Sequence, residues 1–434
     1  MDDGTDAVRS FDRRRFLCRA AGLAGGAGLL GAASGRSAGA GPSLTVMTRN
    51  LYLGVDLGGL FEADSTVALR ELASDLLTEA RRHPYGTRMD AVAAEIDATR
   101  PAVVGLQEAV RIRERPRDGD SSDWTWVADL LDRLGSALDE RGLAYEVAAS
   151  TVTTDVRTGA ETDDGRVTLQ LTDRDALLVR GDLAVADTRS GRYDTGLTVP
   201  LPGGDGTSTL KRGYCTATVE VADAPVTVAN THLEAASAVI RRLQAEELLA
   251  RLPSEGRVVL AGDFNSGAGA DTDTYDRLTD TFADAWATVR PDAAGETCCQ
   301  RSSLRNDRSR LDSRVDGVLY RGALHPETVD RVGADPDDRV AVERDGESFR
   351  VWPSDHAGVV ATFALDGVPT ATPAGPSSTP SPASDPGSPA GPTRTGTDVF
   401  GDGTSSDSGP GFGVLAAVAG VTLGVLARWR RDRS

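Results

Sequence analysis

Short apolar runs recur along the middle of the chain, and several stop abruptly at polar residues that carry chemistry. Val258, Val259, Leu260 and Ala261 read as a buried strand closed by Gly262. Asp263 and Asn265 follow two residues apart, and extended backbone turns both to one side. The run Ala102 to Leu106 delivers Gln107 and Glu108 in the same way, and Val226 to Asn230 delivers Thr231 and His232. Ser354, Asp355 and His356 precede a final run from Ala357 to Leu365. A first strand, Ser43 to Thr48, alternates with β-branched residues and ends at Arg49 and Asn50. Chemistry at strand ends of this kind is the habit of α/β folds.

Helical spacing separates these runs. Val67, Leu69, Leu72, Leu76 and Leu77 predict a helix over residues 65–82, with Asp64 or Ser65 as its N-cap. Met89, Val92, Ala93 and Ile96 predict a second over 86–99, with His83 between the two as a solvated helix-end histidine. Residues 111–122 read as a charged loop and 124–141 as a helix. Strands follow at 145–149 and 176–179, with an acidic hairpin between them. Residues 185–213 are rich in Gly, Pro and Thr and read as a long substrate-side loop, in which Arg212 is a weak candidate for a phosphate contact. Cys215 to Val221 pairs with the strand ending at Asn230. An amphipathic helix spans 234–252, with Arg241, Arg242, Glu246 and Glu247 on its solvated face. After the Asp263 strand come an acidic loop, 271–273, and a helix through Trp286. Val315 to Tyr320 is a strand opened by Asp316.

Composition adds two constraints. The 434 residues carry a net charge of −18, and Lys211 is the only lysine among 47 basic residues. On its own such a balance argues against a basic nucleic-acid-binding face, but salt screens charge and weakens nucleic-acid affinity as well, so net charge decides little about the substrate. Of the four cysteines, Cys18 lies in the N-terminal segment; no CxxC pair exists, so a zinc–thiolate site is disfavoured. Cys215 either bridges to Cys298 or Cys299 or all three are plain thiols.

The ends read as addresses rather than as fold. Residues 1–40 have the layout of an export signal, with Arg13, Arg14 and Arg15 before a Gly/Ala-rich apolar stretch and small residues near Ala40. Residues 368–409 are rich in Pro, Ser, Thr and Gly and read as a disordered stalk. Residues 410–434 hold an apolar run closed by arginines, short for a membrane span.

Asn50, Gln107–Glu108, Thr231–His232–Leu233, Gly262–Asp263–Phe264–Asn265, Ser313 to Asp316 and Ser354–Asp355–His356 occur in one order. Together they resemble the endonuclease/exonuclease/phosphatase superfamily over residues 41–367. The resemblance implies an α/β four-layer sandwich of two mixed β-sheets flanked by helices, the deoxyribonuclease I-like fold. It also implies a phosphoester hydrolase that uses Mg2+ or Mn2+ and water. By resemblance, Glu108, Asn50, Asp263 and Asp355 would hold the metal. Asp263 would orient or deprotonate the water, Asn50 and Asn265 would donate to phosphate oxygens, and His232 and His356 would steady developing charge. Asp316 would hold His356, and either Asp173 or Asp175 would hold His232.

The termini resemble a twin-arginine signal and an archaeal Pro-Gly-Phe sorting signal, and the lysine-poor acidic composition resembles that of haloarchaeal proteins. The partners implied are the twin-arginine export machinery, an archaeosortase-like processing enzyme and the membrane, through a retained anchor or an attached lipid. The protein would then be displayed at the cell surface. The function expected first is an extracellular nuclease or phosphodiesterase. A phospholipid or inositol-phosphate phosphodiesterase or phosphatase of the same fold is the alternative, and a non-enzymatic surface-binding module the remote one.

Overall fold

The computed structural model describes residues 41–55, 63–117, 123–200, 206–269 and 271–366. The proposed export signal, stalk and anchor lie outside these residues. Among the described residues no helix is long and apolar enough to cross a membrane.

In chain order the elements begin β1 (Ser43–Asn50), α1 (Thr66–Arg82), α2 (Tyr85–Thr99), β2 (Val103–Gln107), β3 (Arg111–Pro116), β4 (Thr125–Asp129) and α3 (Leu130–Glu140). They continue as β5 (Tyr145–Thr162), β6 (Gly165–Arg180), β7 (Val185–Pro200), β8 (Thr207–Val221), β9 (Ala224–His232) and α4 (Ala238–Arg251). Next come β10 (Arg257–Asp263), α5 (Thr272–Thr279), β11 (Ala283–Asp284) and α6 (Ala285–Val289). The last are β12 (Asp316–Arg321), β13 (Leu324–Val332), β14 (Val340–Arg344), β15 (Glu347–Val351) and β16 (Gly358–Leu365).

Two mixed sheets result. The first runs β13-β16-β1-β2-β6-β3-β4, with β5 also paired to β6; the second runs β11-β12-β10-β9-β8-β7. Each has a parallel pair at its centre, β1 with β2 and β9 with β10. A parallel pair has both C-terminal ends on one edge, so Asn50 sits beside Gln107, and His232 beside Asp263. Antiparallel β12 then places Asp316 opposite Asp263.

Three apolar cores stack these layers. Val46, Val103, Val228, Val259, Val318 and Phe363 fill the space between the sheets. Leu77, Met89, Ile96 and Leu134 of α1, α2 and α3 pack on the outer face of the first sheet against Val104 and Leu178. Ala245, Leu248 and Leu278 of α4 and α5 cover the second sheet at Val258 and Leu260. Helices therefore lie outside two face-to-face sheets, the four-layer sandwich expected from the motifs. Strands buried on both faces, such as β2 and β10, lose period-two patterning and read as the continuous apolar runs seen in the sequence.

Several local expectations are corrected. The charged loop at 111–122 contains β3, in which Ile112 enters the core while its arginine neighbours stay outside. The helix expected from Trp124 begins only at Leu130, capped by the Asp129 side chain; the tryptophan-rich start is β4. The long loop at 185–213 is a hairpin arm made by β7 and β8. The acidic hairpin after 149 is likewise ladder throughout, with β5 paired to β6 out to Thr162 and Gly165. Threonine-rich arms satisfy β propensity without apolar alternation, which is why their pattern reads as loop. The helix expected over 234–252 starts at Ala238, with Ser237 as its N-cap. The one expected through Trp286 is broken into α5, β11 and α6.

Arg241 is buried rather than solvated, and its guanidinium meets the carbonyl of Glu234 and the carboxylate of Asp271. His83 is not a solvated end-cap: its Nε2 lies 2.7 Å from Arg88 Nη1, and its ring packs on Tyr85. Cys298 and Cys299 pair with each other, leaving Cys215 a buried free thiol.

Candidate active site

The ends of β1, β2, β9, β10 and β12 and the turn before β16 meet at one edge of the sandwich. Asn50 is at the centre of that edge. Its side-chain amide donates to Glu108 Oε1 at 3.1 Å and to Asp263 Oδ2 at 3.0 Å, joining a carboxylate from each sheet. Its own oxygen accepts from the Tyr52 backbone at 2.8 Å, which fixes the amide's orientation. Glu108 Oε2 accepts from Leu53 N at 2.8 Å, and Glu108 adopts φ +54°, a left-handed turn out of β2. Asp263 Oδ1 accepts from the backbone of Asn265, itself at φ +49°. The Asn265 amide donates to Leu233 O at 3.0 Å. Non-glycine residues seldom hold positive φ, and such positions cluster where a side chain must be aimed.

The two histidines face Asp263 from opposite partners. His356 Nδ1 lies 2.8 Å from Asp316 Oδ2 and 3.7 Å from Asp263 Oδ2. Burial alone would lower the affinity of His356 for a proton, but Asp316, Asp263 and Asp355 outweigh it and hold its pKa well above the ordinary value. Asp316 engages Nδ1, and Nε2 lies 3.7 Å from Cys299 Sγ. His232 Nε2 lies 3.6 Å from Asp263 Oδ2, and its Nδ1 lies 3.1 Å from Arg212 Nη1. Arginine only donates, so Nδ1 must accept and the ring proton sits on Nε2. Burial, then Arg212 and His356, hold the His232 pKa well below the ordinary value. One imidazole is thus kept protonated and the other neutral.

The carboxylate expected on His232 is a correction. Neither Asp173 nor Asp175 is in hydrogen-bond contact with that ring; Arg212 occupies the position instead. Asp173 accepts from Thr153 Oγ1 at 2.9 Å and lies 4.0 Å from Arg212 Nη1. Asp175 is fully buried, and both its carboxylate oxygens lack a hydrogen-bond partner. Burial first, and then Asp173, raise its pKa well above the usual carboxylate range. Arg212 therefore answers to Glu234 at 3.7 Å, to Asp173 and to His232 together, and it does so from strand β8 rather than from a loop.

The acidic groups outnumber the cations that face them. Burial and Asp316 push Asp263 up to about 7, and burial pushes Asp355 up to about 6. Asp316 Oδ1 is buried without a hydrogen-bond partner. Asp263, Asp316 and His356 bring ligand atoms within 4.8 Å of one another, a group able to hold a metal ion. His356 Nδ1 is already engaged by Asp316. Among the ligands expected from the sequence, Asn50 turns its amide nitrogen to Glu108 and Asp263 and its oxygen to Tyr52 N, so it offers no oxygen to an ion and only the carboxylates do.

Below the ligands lies a layer that the sequence signals only faintly. Gln107 Nε2 donates to Asn230 Oδ1 at 2.6 Å, and Asn230 donates to Leu106 O and Ala176 O, tying the sheets together under the site. Gly105 is required there, since a Cβ would stand 2.7 Å from Asn230 Oδ1. Arg49 forms a buried pair with Glu95 at 2.9 Å and also donates to the carbonyl of His356. Thr297 Oγ1 accepts from Val315 N and Asp316 N, setting the Asp316 turn. A charged residue inside the apolar run of β1 was the one available hint of Arg49; its partner is 46 residues away.

The sequence profile of the Endonuclease/Exonuclease/phosphatase family matches residues 79–356, more than half of the chain. No curated protein matches. Among solved structures, the chain is similar to an endonuclease/exonuclease/phosphatase family protein of Bacteroides thetaiotaomicron. That match has 17% identity and a TM-score of 0.46, over 75% of this chain and 99% of the other. It is similar as well to a mannosyl-6-phosphatase of the same species, with 17% identity and a TM-score of 0.46 over 74% of this chain and 100% of the other. Truncated TDP2 of Caenorhabditis elegans matches at 19% identity and a TM-score of 0.41, over 74% of this chain and 98% of that one.

Proposed function

This chain belongs to the endonuclease/exonuclease/phosphatase family, so it is a phosphoester hydrolase, and we propose that it is a divalent-metal-dependent phosphodiesterase whose substrate is nucleic acid. The observation that carries the reading is the pair of carboxylates, one from each sheet, held about one amide, with two buried histidines within 4 Å of Asp263.

Glu108, Asp263 and Asp355 would hold Mg2+ or Mn2+, because carboxylates are hard oxygen donors. Asn50, whose amide nitrogen faces two of these acids and whose oxygen is taken by Tyr52 N, would set their spacing rather than bind the ion. When bound, such a cation polarises a phosphoryl oxygen and offsets charge gathered in the transition state. Asp263 lies within 4 Å of both rings and is placed to orient a water and accept its proton. His232, with its proton on Nε2, donates to a phosphate oxygen. His356, kept protonated by Asp316, supplies the proton that the leaving oxygen takes. Both amide hydrogens of Asn50 are spent on Glu108 and Asp263, so the second amide hydrogen of Asn265 is the neutral donor left for a phosphate oxygen.

Export through the twin-arginine route and display on a membrane-tethered stalk are part of the same proposal. They rest on the sequence of residues 1–40 and 368–434. The test is a substrate panel on the purified protein with Mg2+ or Mn2+: plasmid DNA, RNA, phospholipid, inositol phosphate and a bis-aryl phosphodiester. Chelator-sensitive cleavage of DNA or RNA is expected. Turnover of lipid or small phosphates alone would keep the hydrolytic site and overturn the nucleic-acid reading. Turnover of none would overturn both.

A further inference from the structure

The β3–β4 end of the first sheet carries an alternating ladder of arginine and tryptophan. Ile112 points into the core, so Arg111, Arg113 and Arg115, at period two, share the opposite face. Register sets Trp126 beside Arg113. The Arg111 guanidinium lies 5.5 Å from the Trp126 ring centroid, and that of Arg113 lies 5.4 Å from Trp126 and 4.4 Å from Trp124. Arg115 lies 4.9 Å from Trp124, and Arg157 of β5 lies 5.8 Å from the same ring. The order along the strand is Arg111, Trp126, Arg113, Trp124, Arg115.

Three features point to a ligand. Trp126 is 52% exposed, a large indole left on the surface. Four arginines gather here in a chain whose net charge is −18. Their guanidinium groups also lie against the rings, and Arg113 donates to Gln170 at 2.9 Å, so part of the side-chain freedom is already spent before binding. The place matters as well. Arg111 follows the metal-ligand candidate Glu108 by three residues and pairs with Thr172, which adjoins Asp173 near Arg212. The ladder starts at the catalytic edge and runs outward along β6 for roughly 13 Å between Arg111 and Arg115.

We propose that this ladder is a binding track for single-stranded nucleic acid that leads to the phosphoester site. The proposal rests on the nucleic-acid reading of that site. Arginines spaced along a groove follow a phosphate backbone, and indole and guanidinium planes stack on unpaired bases. A duplex keeps its bases stacked on one another and offers the rings nothing. A sulfated polysaccharide offers charge without flat faces.

The test is fluorescence anisotropy of a labelled oligothymidylate of roughly 12 nucleotides, within the span of such sites. It is run in EDTA so that nothing is cleaved, against a duplex of equal length and heparin as competitors. Trp126→Ala is expected to weaken binding by about 5- to 100-fold, the loss of one stacked base, and Trp126→Phe to restore most of it. Arg113→Gln is expected to reduce the salt dependence of binding by about one counterion. Thermal midpoints of the variants report that they fold. Undetectable binding by the wild type, unchanged binding in Trp126→Ala, or equal competition by heparin would overturn the track. Oligonucleotide cleavage with metal restored is read separately. Tight, Trp126-dependent binding without cleavage would support the track and remove the nuclease reading alone.

Discussion

Asn50 and Asp263 come from different sheets, yet the amide of one donates to the carboxylate of the other at 3.0 Å. The same amide reaches Glu108 at 3.1 Å, so one neutral group holds two acids in register across the sandwich. Asn50→Ala is expected to lower kcat by about 100-fold, as for loss of one preorganised donor. Asn50→Asp, which adds a third acid, is expected to do worse. Steady-state kinetics on a bis-aryl phosphodiester, with a thermal midpoint for each variant, measures both. Equal rates in wild type and Asn50→Ala would remove the amide from the chemistry.

Asp316 holds His356 at 2.8 Å and is the first carboxylate to favour its proton. Asp316→Asn removes that hold, so the His356 pKa falls. Proton donation then fails at lower pH than in the wild type as the pH is raised. A loss of about 1000-fold in kcat is expected, comparable to removal of an orienting carboxylate in hydrolytic triads. The pH–rate profile shows it as a downward shift of the basic limb, which a merely unstable variant would not produce.

Arg212 stands between Glu234, Asp173 and His232. Arg212→Gln leaves acidic groups in the interior without their cation and is expected to cost about 3 kcal/mol. Urea unfolding of the variant and the wild type gives the difference. An Arg212→Gln protein as stable as wild type would show that the buried acids are neutralised in some other way.

His83 gives a pH-dependent term in stability. Burial, helped by Arg88 and Arg344, lowers its pKa to about 2 from the ordinary 6.5. Above pH 6.5 neither the folded nor the unfolded state binds the proton and the group contributes nothing. Below it the unfolded chain takes up a proton that the folded one refuses, so stability falls as pH falls. His83→Gln, which keeps an acceptor for Arg88, is expected to remove at most about 2 kcal/mol of the stability lost between pH 6.5 and 5. Urea midpoints at the two pH values measure it.

The sequence showed the strand ends well and the space between them poorly. Asn50, Glu108, His232, Asp263, Asp316 and His356 each end or open an apolar run, and the family resemblance is what singled them out among the polar residues at such places. Partners across the sheets could not be named. Arg212 lay in a stretch that read as loop, because threonine and glycine gave the β7–β8 arm no apolar period; without that strand there was no way to see that it displaces Asp173 and Asp175 from His232. The link from Gln107 to Asn230 spans 123 residues and leaves no periodic trace. Arginine at alternate positions hid β3, since the sign of a half-buried strand is usually an apolar alternation, and here one face is cationic.

The most direct test of the central claim is hydrolysis of a bis-aryl phosphodiester by wild type and Asp263→Asn, each with saturating Mn2+ and again with EDTA. The account predicts wild-type turnover that disappears in EDTA and returns with metal, and a fall of at least about 1000-fold in Asp263→Asn without loss of folding. Turnover that survives EDTA, or an Asp263→Asn protein as active as wild type, would contradict it.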